Sequence, residues 1–114
     1  MSSEAIGGGA LETPVALLSP SCANVRYPES LRLAGIGGEA IVEFALDTMG
    51  VMEPLSDRVT WATHPGLHDW ALQFVRSCRF RPGQSGGHPQ RARGWLRLHT
   101  SVAHGDVSIN VTSR

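Results

Sequence analysis

Two histidines stand where a metal could bind, because His64 and His68 lie four residues apart at the start of a predicted helix, a spacing that can hold zinc. The sequence places no third ligand at metal-site spacing, so we interpret both as solvated side chains of a first helical turn. No Ser-His-Asp or Cys-His arrangement has supporting context. The glycine-rich stretch 83–87 lacks the lysine and the following helix of a phosphate-binding loop. These residues predict a protein that is not an enzyme and that binds neither a metal nor another cofactor.

Basic and aromatic side chains alternate in the segment 90–102, where one face carries Arg91, Arg93, Trp95, Arg97 and His99. Such a sheet face can bind single-stranded nucleic acid. However, residues 1–57 carry eight acids against two arginines, whereas residues 58–114 carry eight arginines against two acids. Acids on a neighbouring strand would neutralise part of the basic face, and phosphate binding needs uncompensated positive charge. We therefore expect no nucleic-acid partner.

Two segments predict a pair of antiparallel strands. Residues 39–47 alternate, and one face of this first strand is apolar: Ala40, Val42, Phe44 and Leu46. After a turn at residues 47–50, residues 51–61 return as a second strand, with Leu55, Val59 and Trp61 expected to point inward. Pro54 cannot donate to a strand ladder, so the second strand is expected at a sheet edge.

Two helices are also predicted. In the shorter one, over residues 27–35, Pro28 suits the first helical position and Gly35 the left-handed end. The longer one opens at Pro65 and cannot continue through Pro82. Its apolar side chains follow the helical period and form one stripe: Leu67, Trp70, Ala71, Phe74, Val75 and Cys78.

The chain of 114 residues fits one domain. We interpret residues 1–13 as a flexible lead-in, residues 14–102 as the domain with the alternating segment 90–102 as its last strand, and residues 103–114 as a tail with room for a short extra strand at 106–111. No apolar run is long enough to span a membrane. The first residues do not form a signal peptide, so either the protein is cytosolic or an anchor and leader lie outside this chain.

Six short motifs occur in a fixed order along the chain. They are Tyr27-Pro28, the glycines of residues 35–38, the Asp-x-x-Gly of residues 47–50, Thr63-His64-Pro65, the Phe-x-Pro of residues 80–82, and the Gly-x-Pro of residues 87–89. In order and spacing they resemble the TonB C-terminal domain family over about residues 14–102.

The resemblance implies an α+β fold, a small two-layer sandwich. A three-stranded antiparallel sheet, in the order second-first-last strand, would carry two helices on one face. The last strand would then lie at a sheet edge and be open to pairing. An exposed edge would also allow a strand-exchanged homodimer.

The same resemblance implies a non-enzymatic protein-binding module of the periplasm. It would be the C-terminal domain of an inner-membrane-anchored energy transducer, with the anchor absent from this chain. Its partners would be TonB-dependent outer-membrane transporters, whose extended TonB-box segment it captures by strand addition, and an ExbB/ExbD-type inner-membrane motor acting through the anchor. The alternative is a free-standing interaction domain without energy transduction.

Carried over by motif, the partner-binding residues fall in two groups. The segment before the Tyr-Pro motif contributes Asn24, Val25, Arg26 and Tyr27. The last strand contributes Arg93, Trp95, Leu96, Arg97, Leu98, His99 and Thr100. The competing interpretation of that strand is an edge protected against aggregation by its arginines.

The two cysteines, Cys22 and Cys78, suit either two free thiols or one disulfide. In the family fold the segment before Tyr27 crosses the end of the domain where the long helix ends. The implied periplasm is oxidising, so a disulfide formed there would persist.

Overall fold

Two long strands form the centre of the molecule. In the computed structural model, which describes residues 14–18, 22 and 25–113, they are β2 (Gly38–Leu46) and β7 (Ala92–Ala103). They pair antiparallel in unbroken register, from Gly38 opposite Thr100 to Leu46 opposite Ala92. Their apolar residues alternate with polar ones, so one face of the pair can be buried while the other stays in water.

The remaining elements are short. Besides β2 and β7, the described chain contains β1 (Ala16–Leu17), α1 (Glu29–Leu33), β3 (Arg58–Ala62), a 3₁₀ turn (Pro65–Leu67), α2 (His68–Arg76), β4 (Phe80–Arg81), β5 (Gly83–Ser85), β6 (His88–Gln90) and β8 (Asp106–Ser113). The helices and strands give the expected α+β class.

The main sheet has four strands in the order β3-β2-β7-β8. The prediction of three strands, with the last strand at an edge, was therefore wrong. β8 pairs with β7 from Ala103 opposite Asp106 to Leu96 opposite Ser113. β7 and β8 are joined by the two-residue turn His104-Gly105. Both residues have positive φ (54° and 81°), as a type I′ hairpin turn requires.

β3 lies at the other edge of the sheet, as the proline before it predicted. Its inward residues were predicted wrongly in two cases: Leu55 is 97% exposed and Trp61 is 47% exposed. The strand begins only at Arg58, so Leu55 lies in the preceding loop. A β-bulge beside Ile41 and Val42 then breaks the alternation, which leaves Val59 partly buried and turns Trp61 to the outer face.

The helical layer packs on the inner face of the sheet. His64 caps the 3₁₀ turn, since its Nδ1 accepts a hydrogen bond from the Gly66 amide at 2.9 Å. Pro65 then occupies the first helical position, where a missing amide hydrogen costs nothing. The predicted stripe of α2 is buried at Leu67, Trp70, Ala71, Phe74 and Val75.

The core lies between α2 and the inner face of β2 and β7. The predicted inward residues of β2 are all buried, and Leu96 and Leu98 of β7 are inaccessible to solvent. The Phe44 ring lies over Gly94. A side chain at Gly94 would collide with that ring, so the glycine permits the close approach.

Two small sheets flank the main one. β1 pairs with β4, and β5 pairs with β6 through a turn at Gly86 and Gly87, which both have positive φ. The molecule is elongated, with principal extents of 49 × 24 × 21 Å.

Candidate functional site

The predicted docking strand is paired on both sides over most of its length. β2 covers one side of β7, and β8 covers the other side from Leu96 to Ala103. Only the part from Ala92 to Trp95 lies beyond the end of β8. Of the predicted last-strand residues, Arg93 and Trp95 are thus outside the β8 pairing, whereas Leu96, Arg97, Leu98, His99 and Thr100 are within it.

The side chains of these residues divide between the two faces. Leu96, Leu98 and Thr100 point into the core and are buried. Arg93, Arg97 and His99 are exposed on the outer face, where Trp95 is half-buried. The predicted binding residues of β7 therefore do not form one continuous surface.

The segment before the Tyr-Pro motif is joined to β7 by a buried hydroxyl pair. The Tyr27 hydroxyl donates to the Ile36 carbonyl at 2.9 Å and lies 3.1 Å from Thr100 Oγ1. Thr100 Oγ1 accepts from the Gly38 amide at 3.0 Å. Tyr27, 6% exposed, also packs edge-on against Trp70 with ring centroids 5.2 Å apart. Tyr27 and Thr100, which were both predicted to bind a partner, are thus engaged in contacts within the fold.

The other residues of that segment differ in exposure. Val25 is partly buried against the core, and Arg26 is exposed. Asn24 lies outside the described residues.

The free edge on this side of the sheet belongs to β8. In the part of the chain that the structure describes, no strand pairs with the outer side of β8. A two-residue hairpin makes Ala103 and Asp106 a hydrogen-bonded pair, and such pairs alternate with non-hydrogen-bonded pairs along an antiparallel ladder. The backbone amides and carbonyls of Val107, Ile109 and Val111 therefore point away from β7, toward the open edge.

The sequence of β8 does little to protect this edge. Residues 107–112 contain no charge and no proline, and the eight residue pairs of the β7–β8 ladder run without a bulge. Natural edge strands usually carry such features, because they prevent pairing with other chains. β3, at the opposite edge, is shorter, has a bulge in its ladder and presents the charged Arg58. The β8 edge is the more receptive of the two.

Sequence reasoning missed β8 as the edge because its alternation is short and its turn atypical. Val107, Ile109 and Val111 do alternate with polar residues, which is the signal that could have placed the short strand expected at 106–111 in the main sheet beside β7. Asn-Gly and Asp-Gly are the strong hairpin signals, whereas this turn is His104-Gly105.

Ion pairs compensate part of the charge on the outer face. Glu43 lies 3.6 Å from an Arg58 nitrogen and 3.7 Å from an Arg93 nitrogen. Glu39 lies within hydrogen-bonding distance of His99, with Oε2 3.0 Å from Nδ1. The expected neutralisation of basic residues of β7 by acids on the neighbouring strand is thus present at Glu43, which pairs with Arg93.

A second surface, which the sequence did not indicate, lies at the loop between β2 and β3. A groove of about 790 Å³ is lined there by Leu18, Met49, Val51, Leu55 and Phe80, among others. Met49 is 80% exposed and Val51 58% exposed. The ion pair of Asp57 and Arg76, at 2.6 Å, lies at the same groove.

A disulfide joins Cys22 to Cys78, with the two sulfurs 2.03 Å apart. The bond links the segment before Tyr27 to the end of α2 across 56 residues of sequence. It therefore holds that segment beside the domain.

The described residues contain no group of three or more His, Cys, Asp or Glu side chains that could hold a metal ion. None of the helices among them has the length and apolar character needed to cross a membrane.

The family model described as the Gram-negative bacterial TonB protein C-terminal matches residues 23–99. The match begins just after Cys22 and ends within β7, so β8 lies outside it. Comparison with curated proteins gave no match.

Proposed function

Because the chain belongs to the TonB C-terminal family, we propose that it is a non-enzymatic, periplasmic protein-binding module that captures an extended segment of an outer-membrane transporter by strand addition. The family is a transport-associated one, and TonB C-terminal domains are periplasmic in Gram-negative bacteria. In this proposal a proton-driven inner-membrane motor acts on the domain through the chain that precedes it.

The observation that carries the proposal is the open edge of β8. An extended peptide added there would make main-chain hydrogen bonds to Val107, Ile109 and Val111, and no bond of the existing sheet would have to break. Pairing with β7 at Leu96 to Thr100 would first require β8 to leave, since β8 covers those residues. We therefore place the docking edge one strand further out than the sequence predicted.

Side chains near this edge would set specificity. On the outer face, Ser108, Asn110 and Thr112 alternate as exposed neutral polar groups. On the inner face, Val107, Ile109 and Val111 are partly buried at the rim of the core. A bound segment with alternating apolar and uncharged polar residues would continue both faces.

The test uses synthetic peptides that copy the N-terminal segments of TonB-dependent transporters, titrated into isotope-labelled protein. We expect the largest amide shifts at Val107, Ile109 and Val111. Methylating the peptide amides that face β8 should abolish binding, and methylating the intervening amides should leave it intact.

A substitution tests the same edge from the protein's side. In Ile109→Pro the lost amide hydrogen faces outward, so the β7–β8 ladder keeps its hydrogen bonds. We expect peptide affinity to fall at least about tenfold, roughly the loss of one hydrogen bond at 1.4 kcal/mol. Ser101→Ala, on the interior strand β7 and away from the open edge, is the control and should bind as the wild type does.

Two outcomes would count against this placement. Wild-type affinity in Ile109→Pro would show that β8 is not the docking edge. Shifts centred on residues 96–100, with loss of the contacts between Leu98 and Val111, would show instead that the peptide replaces β8 and pairs with β7.

A further inference from the structure

One carboxylate on the outer face of the main sheet lies between two arginines. The strand register places Arg58 of β3, Glu43 of β2 and Trp95 of β7 in one row across the sheet. Arg93 stands two residues from Trp95 on β7, so its side chain leaves the same face. Glu43 Oε1 lies 3.6 Å from Arg58 Nη2 and 3.7 Å from Arg93 Nη2. This row therefore gathers two positive charges around one negative charge.

The two arginines do not spend their hydrogen-bond donors on this carboxylate. A separation of 3.6 Å is too long for a hydrogen bond, and neither guanidinium donates to any other residue that the structure describes. The pair of Arg91 and Glu53 differs, because Arg91 Nη2 donates to Glu53 Oε1 at 2.7 Å. The N–H groups of Arg58 and Arg93 are thus available to a further anion.

A cavity of about 400 Å³ opens beside these side chains. It is lined by Glu43, Arg58, Arg93, Gly94 and Trp95. Its volume falls in the range of small-ligand sites, roughly 300–1,000 Å³. The half-buried indole of Trp95 gives the cavity an apolar wall. Guanidinium donors beside an aromatic ring suit a carboxylate that is attached to an apolar group.

The charge of the cavity favours a ligand with a single negative charge. Two arginines and one glutamate line it, which leaves one positive charge uncompensated. A carboxylate matches that charge, and its two oxygens can accept parallel hydrogen bonds from one guanidinium. A phosphate dianion would bring a second negative charge close to Glu43, and like charges repel.

We propose that this cavity binds a carboxylate of a partner protein, held by Arg58 and Arg93, with the neighbouring apolar group of the partner lying on Trp95. The side chain of Arg58 is 69% exposed and that of Arg93 41%, so a partner can reach both from solvent. The chain terminus of an extended segment and an acidic side chain within one present the same chemistry to the site. The outward backbone groups of β8 take no part, so this proposal does not depend on strand addition.

The first measurement titrates N-acetylphenylalanine, which carries a carboxylate and an aromatic ring, into isotope-labelled protein at low ionic strength, where exposed charges are least screened. We expect the indole signal of Trp95 and the guanidinium signals of Arg58 and Arg93 to shift. The amide of the same compound lacks the charge and should bind at least about tenfold more weakly. Equal binding of acid and amide, no shift with the acid, or tighter binding of inorganic phosphate would each overturn the proposal.

Substitutions around the cavity should change the affinity for the acid in opposite directions. Arg93→Gln and Arg58→Gln each remove donors and should weaken binding at least about tenfold. Glu43→Gln removes the competing carboxylate and should strengthen binding about three- to tenfold. Arg32→Gln, on α1 and paired with Glu29, removes the same charge far from the cavity and should bind as the wild type does. Weaker or unchanged binding in a Glu43 variant with wild-type circular dichroism would contradict the site.

Two peptides then identify the source of the carboxylate. One ends in a free phenylalanine carboxylate and contains no acidic side chain, and the other has an internal Asp-Phe pair and an amidated end. Tighter binding of the first assigns the cavity to a chain terminus, and tighter binding of the second assigns it to an acidic side chain. If neither exceeds a peptide without any carboxylate, the proposal fails. Ile109→Pro should leave all these affinities unchanged, so the failure of strand addition and the failure of this site are distinguishable.

Discussion

At the scale of single residues, the buried hydroxyl of Thr100 is a central polar contact of this fold. It is 3% exposed, accepts from the Gly38 amide and lies within hydrogen-bonding distance of Tyr27. The contacts of this one oxygen therefore connect β2, β7 and the segment before α1. Sequence reasoning assigned this residue to partner binding because it lies on the docking strand of the family.

We predict that Thr100→Val lowers the free energy of unfolding by about 1–3 kcal/mol, because it keeps the shape of the side chain but removes the hydroxyl that accepts from the part-buried Gly38 amide. Urea denaturation measures the loss. Thr112→Val makes the same chemical change at an exposed position of β8 and should alter stability little. Equal stability of the Thr100 variant and the wild type would show that the hydroxyl network does not hold the strands together.

The ion pair of Arg91 and Glu53 gives a pH dependence of known sign. Arg91 Nη2 donates to Glu53 Oε1 at 2.7 Å, and this hydrogen bond holds the pKa of Glu53 below its ordinary value of 4.5. A lowered carboxyl pKa means that the pair stabilises the fold above the ordinary pKa. That stabilisation is lost as the pH falls through the lowered value.

We predict that Arg91→Gln moves the pKa of Glu53 up toward 4.5, as measured by titrating the side-chain carboxyl signal. Arg58→Gln is the control, since Arg58 pairs with Glu43 and not with Glu53. An unchanged pKa in the Arg91 variant would mean that this arginine does not hold the carboxylate in solution.

At the scale of elements, the predictable parts are those with a long, regular pattern. β2 buries the residues expected, and five of the six residues of the predicted helical stripe are buried, with Cys78 only partly so. A strong alternation and a long helical stripe each allow only one face to be the buried one. Trp61 could not be assigned this way, because a bulge shifts the alternation and no residue type in the sequence marks it. The sequence did not place β8 in the main sheet, because eight alternating residues after a His-Gly turn are only a weak signal of a hairpin strand.

The candidate site was harder to predict than the fold for a physical reason. Strand addition uses backbone groups, which every residue has, so no residue type identifies a docking strand. Which edge is open depends on the number of strands, and one additional hairpin moves the edge from β7 to β8.

The disulfide is the element-scale feature that is simplest to test. We predict no free thiol in the denatured, unreduced protein. We also expect reduction to lower the free energy of unfolding by up to about 4 kcal/mol, as expected for closing a loop of this length. The Cys22→Ala/Cys78→Ala variant should be insensitive to reductant. Two titratable thiols in the unreduced wild type would refute the bond.

At the scale of the whole molecule, the sheet predicts a pattern of amide hydrogen exchange. The interior strands β2 and β7 are paired on both sides and their inner-face residues are buried in the core, so their amides should exchange slowest. In β8 of a single copy, we expect alternation. Ser108, Asn110 and Thr112 face β7 and should be protected, whereas Val107, Ile109 and Val111 face water and should exchange fast.

Mass spectrometry or NMR at low protein concentration can measure this alternation. Uniform exchange along β8 at low concentration would mean that the strand is not paired with β7 as described.

The disulfide also decides where a mechanical load enters the fold. β1 lies on the N-terminal side of Cys22, so a pull on that end of the chain first strains the two residue pairs that join β1 to β4. Once these have peeled apart, tension passes through a covalent bond into the end of α2, which is packed on the sheet. The segment leading to Tyr27 then carries little of the tension, because the disulfide bypasses it. Without the bond, the same pull would unravel that segment residue by residue and reach the Tyr27 hydroxyl next.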